Sequence, residues 1–544
     1  DQLGDAETER WQKLNAEYRS RHGFPFIICV RAHDRAQIAR ALKDRLHRDT
    51  EAEVETALQQ IDAIATFRFD DKLAEIVSAE RLGELDATVQ RDLAYLAEPE
   101  GSWVPRTVDE QDVECLDVAI VGGGQSGLGA AFGLLRAGVD RIAILDENPA
   151  GYEGPWVTYA RMRTLRTPKH LTGLDGGIPS LTFRAWYTAQ FGDEAWEAVG
   201  KIPRRQWMAY LRWFRATLDL PVRNNVRVTA IHRHGDRFQL ELNDGDAKLE
   251  ARKVILATGI QGGGEWHTPQ LIVNGLPRKL YAHTSEAIDF GALEGKSIGV
   301  LGSGASAFDN AHFALQHGVA EAHVFSRRER LPVVNPIRFM ERTGFTRRYI
   351  LLDDDEKYRA LNHFLVTNQP PTNDTYRRAS AYAGFALHLG SPWDSVEERD
   401  GKVHVTTPHG EFTFDFVVIS TGLVNDAALR PELRDFVDDI AHWGETFEPT
   451  RTERNPIIDS HPRLTPGFEL TGKTPEANQR LHGLFVFNYS ALASCGLSAS
   501  ALSGMRFAVP RLVDAVTAQL FLDERERILE DYFAYDEPEF LGDE

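Results

Sequence analysis

Apolar residues gather along the chain in short runs of two kinds, and the spacing within each run predicts its element. Asp117-Val-Ala-Ile-Val121, Arg141-Ile-Ala-Ile-Leu145, Lys253-Val-Ile-Leu-Ala257, Ser297-Ile-Gly-Val-Leu301, Ala322-His-Val-Phe325 and Phe416-Val-Val-Ile-Ser420 are brief, continuous and rich in β-branched residues. Such runs read as buried strands. Leu128 to Ala137 follows the first run with helical spacing, and Leu58, Ile61 and Ile64-Ala65 recur at helical spacing near the start. The pattern predicts an α/β protein preceded by a small all-helical module.

Glycine turns join strand to helix at two places, Gly122-Gly-Gly124-Gln125-Ser126-Gly127 and Gly302-Ser-Gly304-Ala305-Ser306-Ala307. Each has the order of a dinucleotide-binding unit, in which the first glycine makes the turn, the second admits a pyrophosphate and the third position lets helix and strand approach. The anion then sits on the positive end of the helix. Two Rossmann-like domains are therefore expected, one for FAD and one for NAD(P). After the first turn the next strand ends at Asp146, nineteen residues beyond Gly127, where a carboxylate meets a ribose hydroxyl. After the second the strand ends in Ser326-Arg327-Arg328. An acid there would repel a 2′-phosphate whereas guanidinium forks grip one, so NADPH is favoured and NADH remains open.

Two further turns, Thr258-Gly259 and Thr421-Gly422, close aliphatic runs. With them the stretch from about Leu116 to Leu520 resembles the two-dinucleotide-domain flavin monooxygenases, in which such turns mark crossings between flavin and nicotinamide domains. Gly154-Pro-Trp156 is similar to that family's segment near the flavin ring, and Tyr281-Ala-His283-Thr-Ser285 to its short histidine segment. No Trp-Pro pair follows His283, which argues against lactone-forming members. Disulfide reductases share the plan, but the cysteines, Cys29, Cys115 and Cys495, hold no Cys-x-x-Cys pair.

Domain limits follow from where the patterns change. Residues 1–68 form the helical module, 69–115 a helical connector, 116–290 and 416–520 the FAD domain, 291–415 the NAD(P) domain and 521–544 an acidic tail. Asn335 to Pro371, with Arg338, Arg342, Arg347 and Arg348, reads either as a helical cover or as a solvated excursion.

In the module, Gly23-Phe-Pro-Phe-Ile27 with Arg31 is similar to the C-terminal half of 2-oxo-4-hydroxy-4-carboxy-5-ureidoimidazoline decarboxylase. The resemblance implies that Arg31 contacts that substrate. The family's catalytic histidine and glutamate belong to a half that would precede residue 1, so an inactive, trimmed decarboxylase is expected. A packing or dimerisation appendage is the other reading. That family acts last on the route from urate to allantoin, so its junction with a flavin monooxygenase points by association to the first step, hydroxylation of urate at C5 to 5-hydroxyisourate. The resemblance implies NADPH, FAD, dioxygen and a C4a-hydroperoxyflavin, with no metal. An amine N-hydroxylase and a non-enzymatic flavin sensor or scaffold are the alternatives.

Arginine forks, amides and an aromatic wall suit a planar urate anion. Arg163 and Arg166, following Trp156, are candidates for it, with the FAD pyrophosphate or solvent as their other partners. Asn488 and His283 complete the catalytic candidates, although His283 also suits a structural role.

Composition narrows partners. With 544 residues and 42% hydrophobic content the chain is long enough for several domains. A net charge of −20 argues against nucleic acid. No run approaches the roughly eighteen apolar residues of a membrane span. Three scattered cysteines fit a reducing cytoplasm. A homo-oligomer is compatible with all of this.

Overall fold

In the computed structural model, the structure describes residues 5–30, 35–98, 101–106, 115–171, 173–499 and 501–539. They fall into two compact units, 1–85 with 189–191, and 86–188 with 192–544.

The first unit is helical, built of α1 (Asp5–His22), α2 (Arg35–Leu46) and the start of α3 (Thr50–Tyr95). Tyr18, Leu42 and Leu46 form its core with Trp11, Leu14, Phe24 and Phe26 packed around them. Glu53 is fully buried there, and a buried carboxylate demands partners. It has the Tyr18 hydroxyl and the Arg45 guanidinium at 2.6 Å, and Arg45 also donates to the Ile27 carbonyl at 3.0 Å. That last bond anchors the Gly23–Ile27 phrase. Arg31 lies outside the described residues. The expected boundary at 68/69 coincides with no element end, because α3 runs unbroken through it. Helical spacing identified α3 correctly, yet Val54, Leu58 and Ile61 of its apolar face are exposed.

The second unit holds two lobes around two sheets. The first lobe's sheet orders its strands β3-β2-β1-β6-β5-β4: β1 (Leu116–Val121), β2 (Ile142–Asp146), β3 (Val222–Asn224), β4 (Val228–His234), β5 (Arg237–Leu242) and β6 (Ala247–Leu256). The first three and β6 run parallel in register Val118↔Ile142 and Val118↔Lys253, and Leu484–Val486 adds a parallel strand to β6. Helices α4 (Gln125–Arg136), α5 (Phe183–Ala198) and α6 (Arg204–Thr217) bury an aromatic cluster that includes Phe183, Trp207, Tyr210 and Phe214. Parallel strands buried on both faces need this continuous apolar character.

The second lobe's sheet is entirely parallel. Beyond the short β7 (Gly264–Trp266) and helix α7 (Gln270–Gly275), its strands are β8 (Tyr281–His283), β9 (Ser297–Leu301), β10 (Glu321–Phe325), β11 (Phe385–His388) and, past the meander β12 (Ser395–Arg399), β13 (Lys402–Thr407) and β14 (Gly410–Phe414), β15 (Phe416–Ile419). They are ordered β11-β10-β9-β15-β8. This moves two assignments. β8 and β15, which the limits 116–290 and 416–520 gave to the flavin domain, lie in the second lobe's sheet beside β9. A short apolar run announces a strand but not its sheet: β15 pairs with β9 on one side and with β8 on the other. The chain crosses between lobes through β7 and β16 (Leu423–Asn425), which pair antiparallel.

Helix α8 (Ala305–Gln316) follows β9, and the stretch 335–371 is largely helical, with α9 (Ile337–Met340), α10 (Thr343–Arg348) and α11 (Asp354–Thr367) before α12 (Asn373–Ser380). Among the described residues no helix is long and apolar enough to cross a membrane.

Candidate functional site

Each glycine turn stands at the carboxyl end of a strand where neighbouring strands depart to opposite sides, the position at which open parallel sheets bind ligands. In the first turn Gly122 has φ +107°, and a Cβ there would lie 2.5 Å from the Ala257 carbonyl oxygen. A Cβ on Gly127 would lie 1.9 Å from the Gly122 oxygen, so only glycine permits this closeness of helix and strand. Gly124 caps α4 with no side-chain bond, and a Cβ on it would meet only the Gly154 Cα at 4.0 Å. Uncapped N–H groups facing open space form an anion cradle. The residues fit a dinucleotide pyrophosphate.

The surrounding side chains are committed to the protein. Ser126 Oγ donates to the Ala499 carbonyl at 2.7 Å, and Gln125 accepts from the Trp207 indole at 3.3 Å. Asp146, expected at a ribose, is buried and turned onto the loop. Its Oδ2 accepts the Gly123 N–H at 2.7 Å, and Oδ1 accepts from Asn148 N at 2.8 Å. Glu153, which no sequence signal marked, is buried nearby between Gly151 N, Arg215 and Asn224. Gly123, Glu153, Arg212 and Val222 help to line a cleft of about 800 Å³ beside the turn, large enough for a nucleotide half.

The second turn repeats this backbone. Gly302 has φ +111°, its Cβ position falls 2.3 Å from the Ser420 oxygen, and Gly304 faces open space at the uncapped start of α8. Ala307 stands fully buried where the first turn has Gly127. At the end of β10, Ser326 takes the inward position, accepting from Ser303 Oγ at 2.8 Å and from Arg328 N at 3.2 Å. Arg328 reaches the Val366 carbonyl at 3.3 Å. The Arg327 side chain is exposed and makes no hydrogen bond or ion pair among the described residues.

Between the turns lie the two crossings. Thr258 and Gly259 precede β7, and Thr421 and Gly422 precede β16. The Thr421 hydroxyl donates to the His267 carbonyl and Gly422 O accepts from His267 N at 2.9 Å, so the crossings clasp each other. Asn488 is buried beside the first of them: its amide donates to Thr258 Oγ1 at 3.1 Å and Gly262 O at 3.2 Å, while its oxygen accepts Ser490 N at 2.9 Å. Those bonds use both of its amide's polar atoms within the protein. His283, at the end of β8, is buried and stacked on Trp266 at 5.2 Å, with Nδ1 2.7 Å from Ser285 Oγ. Burial pushes its imidazole down to about 4, so it is neutral near pH 7.

The arginine-rich loop after Trp156 spans the lobes. Trp156 packs edge-on against Trp207 at 6.4 Å, and its carbonyl accepts from Arg204. Arg161, which patterning missed, donates to the Thr284 and Glu286 carbonyls at 2.7 and 2.6 Å. Arg166 is bound to Asp309 of α8 at 2.5 Å. Arg163 remains exposed; burial, and after it the charges of Arg378 and Arg163, hold buried His312 down to about 4. Of the two arginine candidates, only Arg163 is uncommitted.

Residues 119–335 match the family model described as pyridine nucleotide-disulphide oxidoreductase, and residues 1–70 match OHCU decarboxylase. Cys29, Cys115 and Cys495 are buried and form no disulfide with one another, so the first match reflects the dinucleotide plan and not a dithiol relay. A FAD-dependent urate hydroxylase from Xanthomonas campestris is 54% identical over 464 residues, which cover 85% of this chain and 98% of that one. The chain belongs to the FAD-dependent urate hydroxylase family. The family's sequence likeness reaches beyond what fold alone supplies: an ornithine hydroxylase from Pseudomonas aeruginosa superposes with TM-score 0.59 over 75% of this chain and all of the other, at 17% identity. That likeness shows the fold. At the other end, a 2-oxo-4-hydroxy-4-carboxy-5-ureidoimidazoline decarboxylase from Mus musculus is 45% identical over 64 residues, 12% of this chain and 36% of the enzyme.

Proposed function

We propose that this protein is a flavin-dependent monooxygenase that consumes NADPH and dioxygen to hydroxylate urate at C5, giving 5-hydroxyisourate. The observation that carries the reading is identity of more than half along nearly the whole length of a urate hydroxylase. FAD is assigned to the first cradle, with Gly122, Gly124 and Gly127 shaping the turn and the α4 N–H groups receiving its pyrophosphate. The nicotinamide nucleotide is assigned to Gly302, Gly304 and Arg327, whose unpaired guanidinium suits a 2′-phosphate. When bound, flavin supplies the two-electron and oxygen chemistry that side chains lack. The protein's part is to bring the nucleotides together and keep water from the reacting centre. Arg163 is the candidate among the loop arginines for the urate anion, and Asn488 and His283 are assigned positioning roles.

The decarboxylase-like module supports the same substrate class, because that enzyme acts on a downstream product of urate oxidation. The test is NADPH consumption by FAD-loaded protein with urate, ornithine and lysine side by side, with 5-hydroxyisourate followed in the ultraviolet. Urate-dependent consumption with that product is expected. Stimulation by an amine and none by urate would overturn the reading.

A further inference from the structure

The loop that carries Trp156 is fastened to the second lobe at several points. Arg161 reaches the turn after β8, where its guanidinium also lies over the Phe290 ring at 5.3 Å. Arg166 reaches α8, and the Arg166 carbonyl accepts from Arg338 at 2.8 Å. Just beyond the loop, Lys201 pairs with Asp374 of α12 at 2.7 Å. Helix α8 begins at the second glycine turn, and Asp309 sits about one turn along it. Anything that shifts Asp309 therefore shifts the nucleotide cradle.

We propose that the Arg166–Asp309 pair is a positioning device for hydride transfer, holding the second nucleotide turn at a fixed distance and angle from the Trp156 loop. The inference rests on the reading of this chain as a FAD- and NAD(P)H-dependent monooxygenase. The reaction it serves moves one hydride from reduced nicotinamide to oxidised flavin, leaving oxidised nicotinamide and reduced flavin. Transfers of this kind lose rate steeply when the partners are displaced by an ångström.

Asp309 is 5% exposed, and Thr375 Oγ1 also donates to it, at 3.1 Å. The charges facing it are Arg166 from the loop and Arg378 from α12, with His312 a turn further along α8. Burial raises its carboxyl, and Arg166 is the foremost of the groups opposing that rise. Without Arg166 the carboxylate would be under-compensated, and an under-compensated buried charge either takes a proton or moves the structure around it. The pair thus differs from an exposed surface bridge, since its loss is felt in the position of α8.

The experiment uses the full chain loaded with FAD and follows anaerobic flavin bleaching by NADPH, and separately by NADH, with and without urate. Reoxidation of dithionite-reduced protein by dioxygen is the control. Arg166→Met is expected to slow bleaching about tenfold or more near neutral pH, with reoxidation unchanged. Part of the loss returns as pH falls and Asp309 takes a proton. Arg166→Met with Asp309→Asn stays at that partly recovered rate at every pH. Should Arg166→Met fail to retain flavin, Asp309→Asn alone gives the decisive rate, slowed and independent of pH.

Wild-type bleaching in either variant, or a slow Arg166→Met protein whose rate ignores pH and is the same in the double variant, would overturn the inference and leave the pair as a stabilising contact. Flavin that neither nucleotide bleaches in the unsubstituted protein would overturn the functional reading and the inference together. Lack of a urate response bears on the substrate assignment alone, because the bleaching comparison does not need urate.

Discussion

The two nucleotide turns share a backbone and differ in what surrounds it. Both open with a glycine at positive φ pressed against the carbonyl of a neighbouring strand end, and both leave a helix start uncapped. At the third position the first turn admits no Cβ, whereas the second buries the Ala307 methyl. Helix α4 therefore stands closer to its strand than α8 does. At the end of the following strand the first lobe turns Asp146 inward to bind its own loop, whereas the second turns Ser326 inward and Arg327 outward. One local code thus produces a tight, self-bonded cradle and a looser one with a free cation. That suits a cofactor that stays and a nucleotide that comes and goes.

The largest expected effect lies at the third position. Gly127→Ala places a methyl on the Gly122 carbonyl and should cost more than about 3 kcal/mol, with loss of bound flavin. Ala307→Gly should cost only about 1 kcal/mol, as glycine does within a helix. Flavin content and thermal unfolding of the two variants measure this, and equal losses would break the comparison. Next, Arg327→Ala should raise the KM for NADPH about tenfold to a hundredfold, the worth of a charge-assisted contact, without changing that for NADH. A parallel change for both nucleotides would remove Arg327 from the phosphate. Asn488→Ala strands the Gly262 carbonyl and the Ser490 N–H and should cost about 1–3 kcal/mol in unfolding free energy. Wild-type stability would show that the clasp of Thr421 and His267 suffices.

The smallest effect is pH dependence, and it should have opposite signs in the two lobes. In the first lobe His482 is raised by Asp523 and Glu469, so its contribution is present below its unfolded value near 6.5 and fades as pH rises through its folded value. In the second lobe His323 and His388 face each other 3.2 Å apart and are lowered by burial, so their contribution is present above that value and fades as pH falls. Partial exposure of His482 limits its contribution to under about 1 kcal/mol. Melting temperatures of His482→Gln and His388→Gln across pH 5 to 9 check both signs. The first variant should converge on wild type at high pH and the second should tolerate acid better.

Much of this was legible because nucleotide turns are local. Strand, glycines and helix lie within about twenty residues, so spacing alone located both turns, whereas Asp146, expected at a ribose, accepts from its own loop. Strand pairing is not local, so the short runs of β8 and β15 do not themselves say that they pair beside β9. The loop arginines show the same limit. Arg161, Arg163 and Arg166 are equivalent donors in the sequence, yet one binds backbone carbonyls, one stays in solvent and one neutralises a carboxylate 143 positions away.

The sequence by itself determined the fold class, the two dinucleotide turns and the helical module, because each is written in residues close enough to interact along the chain. The tertiary structure decided which sheet receives each strand, that Asn488 bonds Thr258 and Gly262, that His283 is neutral and that Arg166 belongs to Asp309. Those outcomes depend on which groups are removed from water together, and burial of one partner is set by residues far away in the chain.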